Sequence, residues 1–211
     1  MGRTESRSVC GWIGRRLSRW SRHAGFSLAE TTIILSAASV LTATAAPSVM
    51  DYVAQARGIK ASGDVQVLTT ALARLLFDVG QFKAADASQA PELLVGPGAP
   101  AVAGNPNADG WTAPLDGSKV QNMVDHLMTN AVGYPLRGGG SFAKGWAGPY
   151  VDMVPTDPWG QRYGVNVGGL GTGTAVIVLS AGPNRMADTP FHATGFQVGG
   201  DDIIGLLGTR R

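Results

Sequence analysis

The sequence has little of what several common protein classes need. One cysteine in 211 residues excludes a disulfide scaffold and a structural zinc site built from several thiolates. Only 15% of the residues are charged and 44% are apolar, and this composition excludes a wholly disordered chain. His23, His126 and His192 lie far apart without metal-ligand spacing, and neither a G-x-S-x-G motif nor a P-loop occurs. We therefore expect no enzyme activity and no catalytic residue.

The charge that is present is distributed unevenly. Residues 1–25 contain six arginines and Glu5, a net charge of +5, whereas the rest of the chain carries 11 basic and 14 acidic side chains, a net charge of −3. Because the basic character belongs to the first 25 residues, the body gives no indication of nucleic-acid binding. We interpret residues 1–25 as a basic leader peptide, which contains Cys10, the one cysteine.

An apolar segment follows the leader directly. Residues 26–49 contain one ionisable side chain, Glu30. As a helix this segment would span roughly 36 Å, enough to cross a hydrocarbon core of about 30 Å. The arginines that precede it predict a cytoplasmic N-terminus and an exported body. Hydroxyl side chains dilute the segment, among them Thr31, Thr32, Ser36, Ser39, Thr42 and Thr44. They can bond back to helix carbonyls or across to a neighbouring helix.

Simpler interpretations of this segment are also open. It could be a plain membrane anchor, a secretory signal cleaved at Ala43-Thr44-Ala45, or a twin-arginine export signal that uses Arg15-Arg16. Glu30 argues against both signals, because a carboxylate within an apolar segment is costly and is usually kept for a partner. Cleavage between Gly25 and Phe26 would create a largely cationic α-amino group that could pair with Glu30 of an adjacent subunit.

The stretch Gly25-Phe26-Ser27-Leu28-Ala29-Glu30 resembles the processing site of type IV prepilins and type II secretion pseudopilins. The resemblance implies that a membrane peptidase cuts after Gly25 and N-methylates Phe26, and that Glu30 is required at its position. Pro47 stands where this family commonly has a helix-kinking proline.

The helix is predicted to continue through residues 50–80 as an amphipathic element that ends near Gly80. Its apolar stripe, with spacings of three and four, consists of Val65, Leu68, Leu72, Leu75, Leu76 and Val79. We expect this stripe to pack on a sheet in the same chain. Residues 81–147 are predicted to be rich in loops, with a capping box at 118–121 and a short helix near 118–131.

Residues 148–211 are expected to contain an antiparallel sheet and a C-terminal loop. Strands are predicted at 148–153, 161–167 and 175–180, with a turn at Asp157-Pro158-Trp159-Gly160. The stretch GPYVDMVPTDPWGQRYGVN is similar to the segment that identifies the major pseudopilin of type II secretion. Residues 180–184 and 200–205 resemble that subunit's calcium loop, S-L-G-P-D-G followed by D-D-I-G.

This second resemblance implies a structural Ca²⁺ ion. Its ligands would be the side chains of Asp201, Asp202 and Asn184 and the backbone oxygens of Ala181 and Met186. Paired carboxylates beside glycine-rich backbone offer the hard oxygen ligands that Ca²⁺ prefers. Asn184 replaces a family aspartate, and Asp188 could restore the missing charge. Alternatively, the two adjacent aspartates are solvated turn residues.

Together these features predict an α+β protein of the type IV pilin-like class, in which a long N-terminal helix packs on a small antiparallel head. The resemblance implies a homo-oligomeric filament, the periplasmic pseudopilus of a type II secretion system, assembled from the inner membrane. The implied partners are a prepilin peptidase, a platform protein, an assembly ATPase and minor pseudopilins. A type IV pilus subunit and an exported binding or hydrolytic protein with an ordinary signal are the alternatives.

Overall fold

The computed structural model describes residues 25–83, 90–139, 143–192 and 197–208. The predicted leader, apart from Gly25, lies outside these described residues. The chain divides into two compact units, Met1–Pro47 and Ser48–Arg211. We call the second unit the head.

Helix α1, Leu28–Val79, contains Pro47 and includes a segment long and apolar enough to cross a membrane. Every described residue of the first unit is exposed. In the described part of this unit, six hydroxyl groups bond to backbone carbonyls three or four residues earlier in the helix, as predicted: Thr31, Thr32, Ser36, Ser39, Thr42 and Thr44. Because these polar groups find partners within α1, they do not prevent the segment from lying in an apolar environment.

The predicted apolar stripe of α1 lies in the core of the head. Val65, Leu68, Leu72 and Leu75 are buried, and the remaining two stripe residues pack against the same cluster. The helix ends at its predicted position, because Gly80 adopts a φ of 87°, the left-handed conformation that commonly terminates helices.

The described residues of the head form seven short strands: β1 Leu93–Val95, β2 Val102–Ala103, β3 Val120–Asn122, β4 Gly164–Val165, β5 Val176–Ser180, β6 Met186–Ala187 and β7 Ile203–Gly208. A short helix α2, Met123–Leu127, and two 3₁₀ helices, Pro106–Thr112 and Val167–Gly169, connect them. Five strands form one sheet in the order β3-β1-β4-β5-β7. Within it β1 and β3 run parallel and the other neighbours antiparallel, while β2 and β6 form a separate parallel pair. The predicted α+β class is confirmed, although the sheet is mixed.

The sheet is covered on both faces. Val176 and Val178 of β5 belong to the cluster around α1. Ile177 and Leu179, which point to the opposite face, belong to a second cluster that contains Trp111 of the first 3₁₀ helix. The region predicted to be loop-rich therefore supplies a second cover for the sheet.

Two of the three predicted strands need correction. Residues 148–153 form no strand: the Tyr150 N–H donates to the Leu127 carbonyl at the end of α2, at 2.8 Å, and Val151 is buried in the core. The predicted strand 161–167 is limited to β4, whereas the third is confirmed as β5. The sheet gains β1, β3 and β7, which the sequence pattern did not predict.

The predicted capping box at 118–121 is wrong because Asp116 binds the amides of this segment. Its Oδ1 accepts from the backbone N–H groups of Ser118, Lys119 and Val120 at 3.0–3.1 Å. These bonds, the one from Val120 most strongly, lower the pKa of Asp116. The chain then enters β3, and α2 is capped by Asn122, whose Oδ1 accepts from the Val124 N–H at 3.0 Å. The helix predicted near 118–131 is thus the five-residue α2.

Candidate functional site

The predicted processing site lies immediately before and within the first turn of α1. The Ser27 N–H donates to Oε2 of Glu30 at 3.0 Å, and the Glu30 N–H donates to Oγ of Ser27 at 3.2 Å. This reciprocal pair is a capping box that starts the helix. Glu30 also lies where the helix dipole favours a negative charge.

The capping box gives Glu30 a role that we did not predict, although the S-x-x-E signal is present in the sequence. Glu30 is exposed at the helix start, so its carboxylate does not depend on a second charge in the single chain. Phe26 precedes the capping residue and is also exposed. Cleavage after Gly25 would leave both members of the capping box in the chain.

The predicted turn at residues 157–160 is built around a buried carboxylate. Oδ1 of Asp157 accepts from the N–H groups of Trp159, at 3.0 Å, and Gln161, at 2.7 Å. Its Oδ2 accepts from the hydroxyl of Ser180 at 2.9 Å. Because Ser180 ends β5, Asp157 fastens this turn to the start of residues 181–202, which we call the C-terminal loop.

Asp201 and Asp202 each use one carboxylate oxygen to order the C-terminal loop. Oδ2 of Asp202 accepts from the N–H groups of Asp188 and Thr189, at 2.9 and 2.6 Å, and Oδ2 of Asp201 accepts from the Asn184 N–H at 3.0 Å. The Oδ1 atoms of both aspartates are buried without a hydrogen-bond partner among the described residues. Burial raises the pKa of Asp202. A cation beside these atoms would offset the cost of burying them.

The other predicted ligands lie around the same two aspartates. Oδ1 of Asn184 accepts from the Met186 N–H at 2.6 Å, and its Nδ2 donates to Oδ2 of Asp188 at 3.1 Å. The carbonyls of Arg185 and Ala187 accept from the β2 side, so the Met186 carbonyl between them points to the opposite side. The structure thus joins Asn184, Asp188, Asp201 and Asp202 in one hydrogen-bonded cluster.

Ala181 is buried next to this cluster, and Gly182 brings the two ends of the C-terminal loop together. Gly182 adopts a φ of 67°, and a Cβ atom there would collide with the Asp201 carbonyl oxygen. In the part of the chain that the structure describes, no three His, Cys, Asp or Glu side chains converge on one metal position. Two carboxylate oxygens with backbone carbonyls suit Ca²⁺ better than Zn²⁺, which prefers nitrogen and sulfur.

A second segment, residues 99–112, holds the C-terminal loop against the sheet, and we call it the arm. Its strand β2 pairs with β6, and Nδ2 of Asn105 donates to the Asp188 carbonyl at 2.7 Å. Nε1 of Trp111 donates to the Thr189 carbonyl at 2.9 Å. Sequence reasoning missed this contact, because residues so far apart give no local signal of pairing.

His126 is a core residue with both ring nitrogens engaged. Nδ1 lies 2.8 Å from the hydroxyl of Tyr134, and Nε2 lies 3.0 Å from Oε1 of Gln121. Because the amide oxygen only accepts, Nε2 carries the proton and Nδ1 accepts from Tyr134. Burial lowers the pKa of His126 to about 4, which keeps the ring neutral. It therefore has no free nitrogen for a metal ion.

Residues 128–193 match the family model described as "Type II secretion system (T2SS), protein G", the major pseudopilin family. The matched residues include the turn at 157–160, β5 and the first part of the C-terminal loop, but neither the processing site nor Asp201 and Asp202. No curated protein and no solved structure was found to match the chain. This family is structural and assembles into a secretion complex, and one apolar N-terminal helix fits a membrane-anchored, single-pass protein.

Proposed function

We propose that this chain is a pseudopilin, a subunit that polymerises into the periplasmic filament of a type II secretion system and drives protein export. The proposal rests on the surface of α1. The part of α1 that belongs to the first unit is apolar and exposed, whereas residues between 61 and 75 are packed in the head. An exposed apolar helix needs lipid or other helices around it. In the subunit at rest this surface lies in the inner membrane, with the N-terminus cytoplasmic and the head periplasmic; in the filament it packs on neighbouring α1 helices.

Assembly requires that α1 of an incoming subunit find its register. After cleavage, the N-methylated amine of Phe26 pairs with Glu30 of the neighbouring subunit. Oε2 of Glu30 binds the Ser27 amide in its own chain, which leaves Oε1 for the neighbour's amine. A prepilin peptidase processes the chain, and a platform protein, an assembly ATPase and minor pseudopilins form the machinery around it.

Two substitutions separate the pairing role of Glu30 from its capping role. Glu30→Gln keeps a side chain that can complete the capping box but removes the charge, whereas Ser27→Ala removes the cap and keeps the charge. In cells with the complete secretion machinery, we expect Glu30→Gln to abolish filament assembly and Ser27→Ala to retain it. Wild-type filament yield from Glu30→Gln would refute the pairing.

The start of the mature chain tests the function itself. N-terminal sequencing is expected to find N-methylated Phe26. A mature chain that begins at Ala46 would instead identify an ordinary secretory signal and overturn the filament proposal. An uncut chain would make α1 a plain anchor.

We also propose that the C-terminal loop binds a structural Ca²⁺ ion. Asp201 and Asp202 would hold it through their Oδ1 atoms, with the backbone oxygens of Ala181 and Met186. Asn184 and Asp188 would order these ligands and add negative charge. The ion would supply the positive charge that the two buried oxygens otherwise lack.

A further inference from the structure

The surface of the head has a groove. It lies beside the part of α1 with which the head begins. The helix contributes Val49, Met50, Val53, Ala54 and Arg57, and the loops contribute Trp159, Pro183 and Arg185. The groove measures about 570 Å³, and none of these lining residues is acidic. It therefore combines an apolar floor with two guanidinium groups. We call it the arginine groove.

Arg185 occupies its place in the arginine groove at a conformational cost. Its φ of 63° lies in the left-handed region, which long side chains rarely adopt, and glycine holds this place in the S-L-G-P-D-G pattern. Arg57 and Arg185 are both exposed, and neither forms an ion pair with an acidic side chain of the described residues. Two unpaired guanidinium groups beside apolar side chains suit an anionic ligand with an apolar portion.

The position of the arginine groove along α1 indicates which anion it meets. Arg57 lies eight residues, about 12 Å of helix, beyond Val49, the end of the predicted membrane segment. Helical side chains generally lean toward the N-terminus of their helix, and that segment lies on the N-terminal side of Arg57 in the sequence. Tryptophan, present here as Trp159, is enriched where membrane proteins meet lipid headgroups.

We propose that the arginine groove binds the phosphate headgroup of an anionic phospholipid and seats the head on the membrane surface. The inference rests on the proposed membrane residence of the subunit. Arg57 and Arg185 contact the phosphate, Trp159 lies at the headgroup level, and Val49 and Met50 face the upper acyl chains. A subunit that enters a filament has to release this lipid.

Quenching of Trp159 fluorescence by a headgroup spin label tests the proposal. The full chain is reconstituted in phosphatidylcholine vesicles with and without phosphatidylglycerol, and the Trp159 contribution is the difference between wild type and Trp159→Phe. We expect stronger quenching with phosphatidylglycerol. Arg57→Gln or Arg185→Gln should each raise the amount of anionic lipid needed for half-maximal quenching roughly fivefold.

Two control variants test whether reduced quenching has another cause, either a general loss of charge or misfolding. Arg74→Gln removes one charge from the same helix outside the groove, where Arg74 is exposed, and should change nothing. Arg185→Gly removes the charge but relieves the left-handed backbone, so a loss of quenching there cannot be attributed to misfolding.

The outcomes that overturn the proposal are distinct. If quenching does not depend on lipid charge, or if neither arginine variant changes it, the arginine groove does not bind an anionic lipid. A Trp159 signal that depends on the protein-to-lipid ratio and not on lipid charge assigns the groove to a second copy of the chain. A chain that does not remain in the vesicle fraction overturns both this inference and the proposed membrane-based function, whereas failure of quenching alone leaves the latter standing.

Discussion

Asp157 is a buried carboxylate that is stabilised by hydrogen bonds, without an ion pair among the described residues. It accepts from two backbone amides of its own turn and from the hydroxyl of Ser180. Asp157→Ala would leave these donors without their acceptor, so we expect the free energy of unfolding to fall by about 2–4 kcal/mol. Urea unfolding of the full chain in detergent, followed by tryptophan fluorescence, measures the change.

The matched control is Asp152→Ala, since Asp152 is exposed five residues earlier. Its effect should stay within about 0.5 kcal/mol. Equal effects of the two substitutions would show that the contacts of Asp157 contribute nothing beyond those of a surface carboxylate.

His126 predicts a pH dependence of stability. Its pKa is lowered to about 4 in the folded chain by burial, from an ordinary value near 6.5. Between these values the unfolded chain binds the extra proton, so stability is complete above about pH 6.5 and declines as the pH falls toward 4. The loss attributable to His126 is about 3 kcal/mol. Unfolding midpoints measured from pH 7 to pH 4 should show it.

His126→Gln removes the titrating ring. The unfolding midpoint of this variant should therefore depend less on pH between 7 and 4, whatever its stability at pH 7. His192→Gln is the matched control, because it changes an exposed histidine in the same way. A slope unchanged by His126→Gln would mean that another group titrates.

At the scale of elements, the contact between α1 and β7 depends on a missing side chain. A Cβ atom on Gly205 would collide with Oγ1 of Thr69 and lie 2.7 Å from Cγ1 of Val65. We expect Gly205→Ala to destabilise the head by about 1–3 kcal/mol, because β7 or α1 has to move. The same substitution at Gly63, on the exposed side of α1 with no atom near its Cβ position, should stabilise by about 0.5–1 kcal/mol. Chemical unfolding of the two variants side by side distinguishes these opposite signs.

Elements were predictable where a local pattern was long. The stripe of α1 repeats over several turns, and β5 is a run of five apolar or small residues that ends at a turn. By contrast, β1 has three residues and β4 has two, too few to show a period, and both depend on partners distant in sequence. The prediction at 118–121 failed because a competing acceptor, Asp116, lies two residues upstream.

The candidate site divides in the same way. Its residues, Asn184, Asp188, Asp201 and Asp202, could be named from the sequence, because oxygen-rich and glycine-rich segments are visible there. Their hydrogen bonds could not be predicted, because residues 17 positions apart are joined only through the folded loop. The contacts of the arm with the C-terminal loop could not be predicted for the same reason, since they join residues about 80 positions apart.

At the scale of the whole molecule, the C-terminal loop links all layers of the head. It follows β5 and leads into the edge strand β7, which packs against α1, and the arm holds it on the opposite face of the sheet. A cation bound to Asp201 and Asp202 would therefore stabilise the entire head rather than one loop. This links ion binding to a global unfolding measurement.

We expect Ca²⁺ to raise the melting temperature of the full chain and EDTA to lower it. At a Ca²⁺ concentration of about 100 Kd, binding contributes about 2.7 kcal/mol, which corresponds to roughly 5–10 °C for a domain of this size. Asp201→Asn and Asp202→Asn each remove a ligand charge and should abolish most of the shift. Asp109→Asn, an exposed change in the arm, should preserve it, and this comparison separates ion binding from general screening of charge. A melting temperature indifferent to EDTA, or a full shift in Asp202→Asn, would exclude these carboxylates as the ligands and leave their buried oxygens to be satisfied by water.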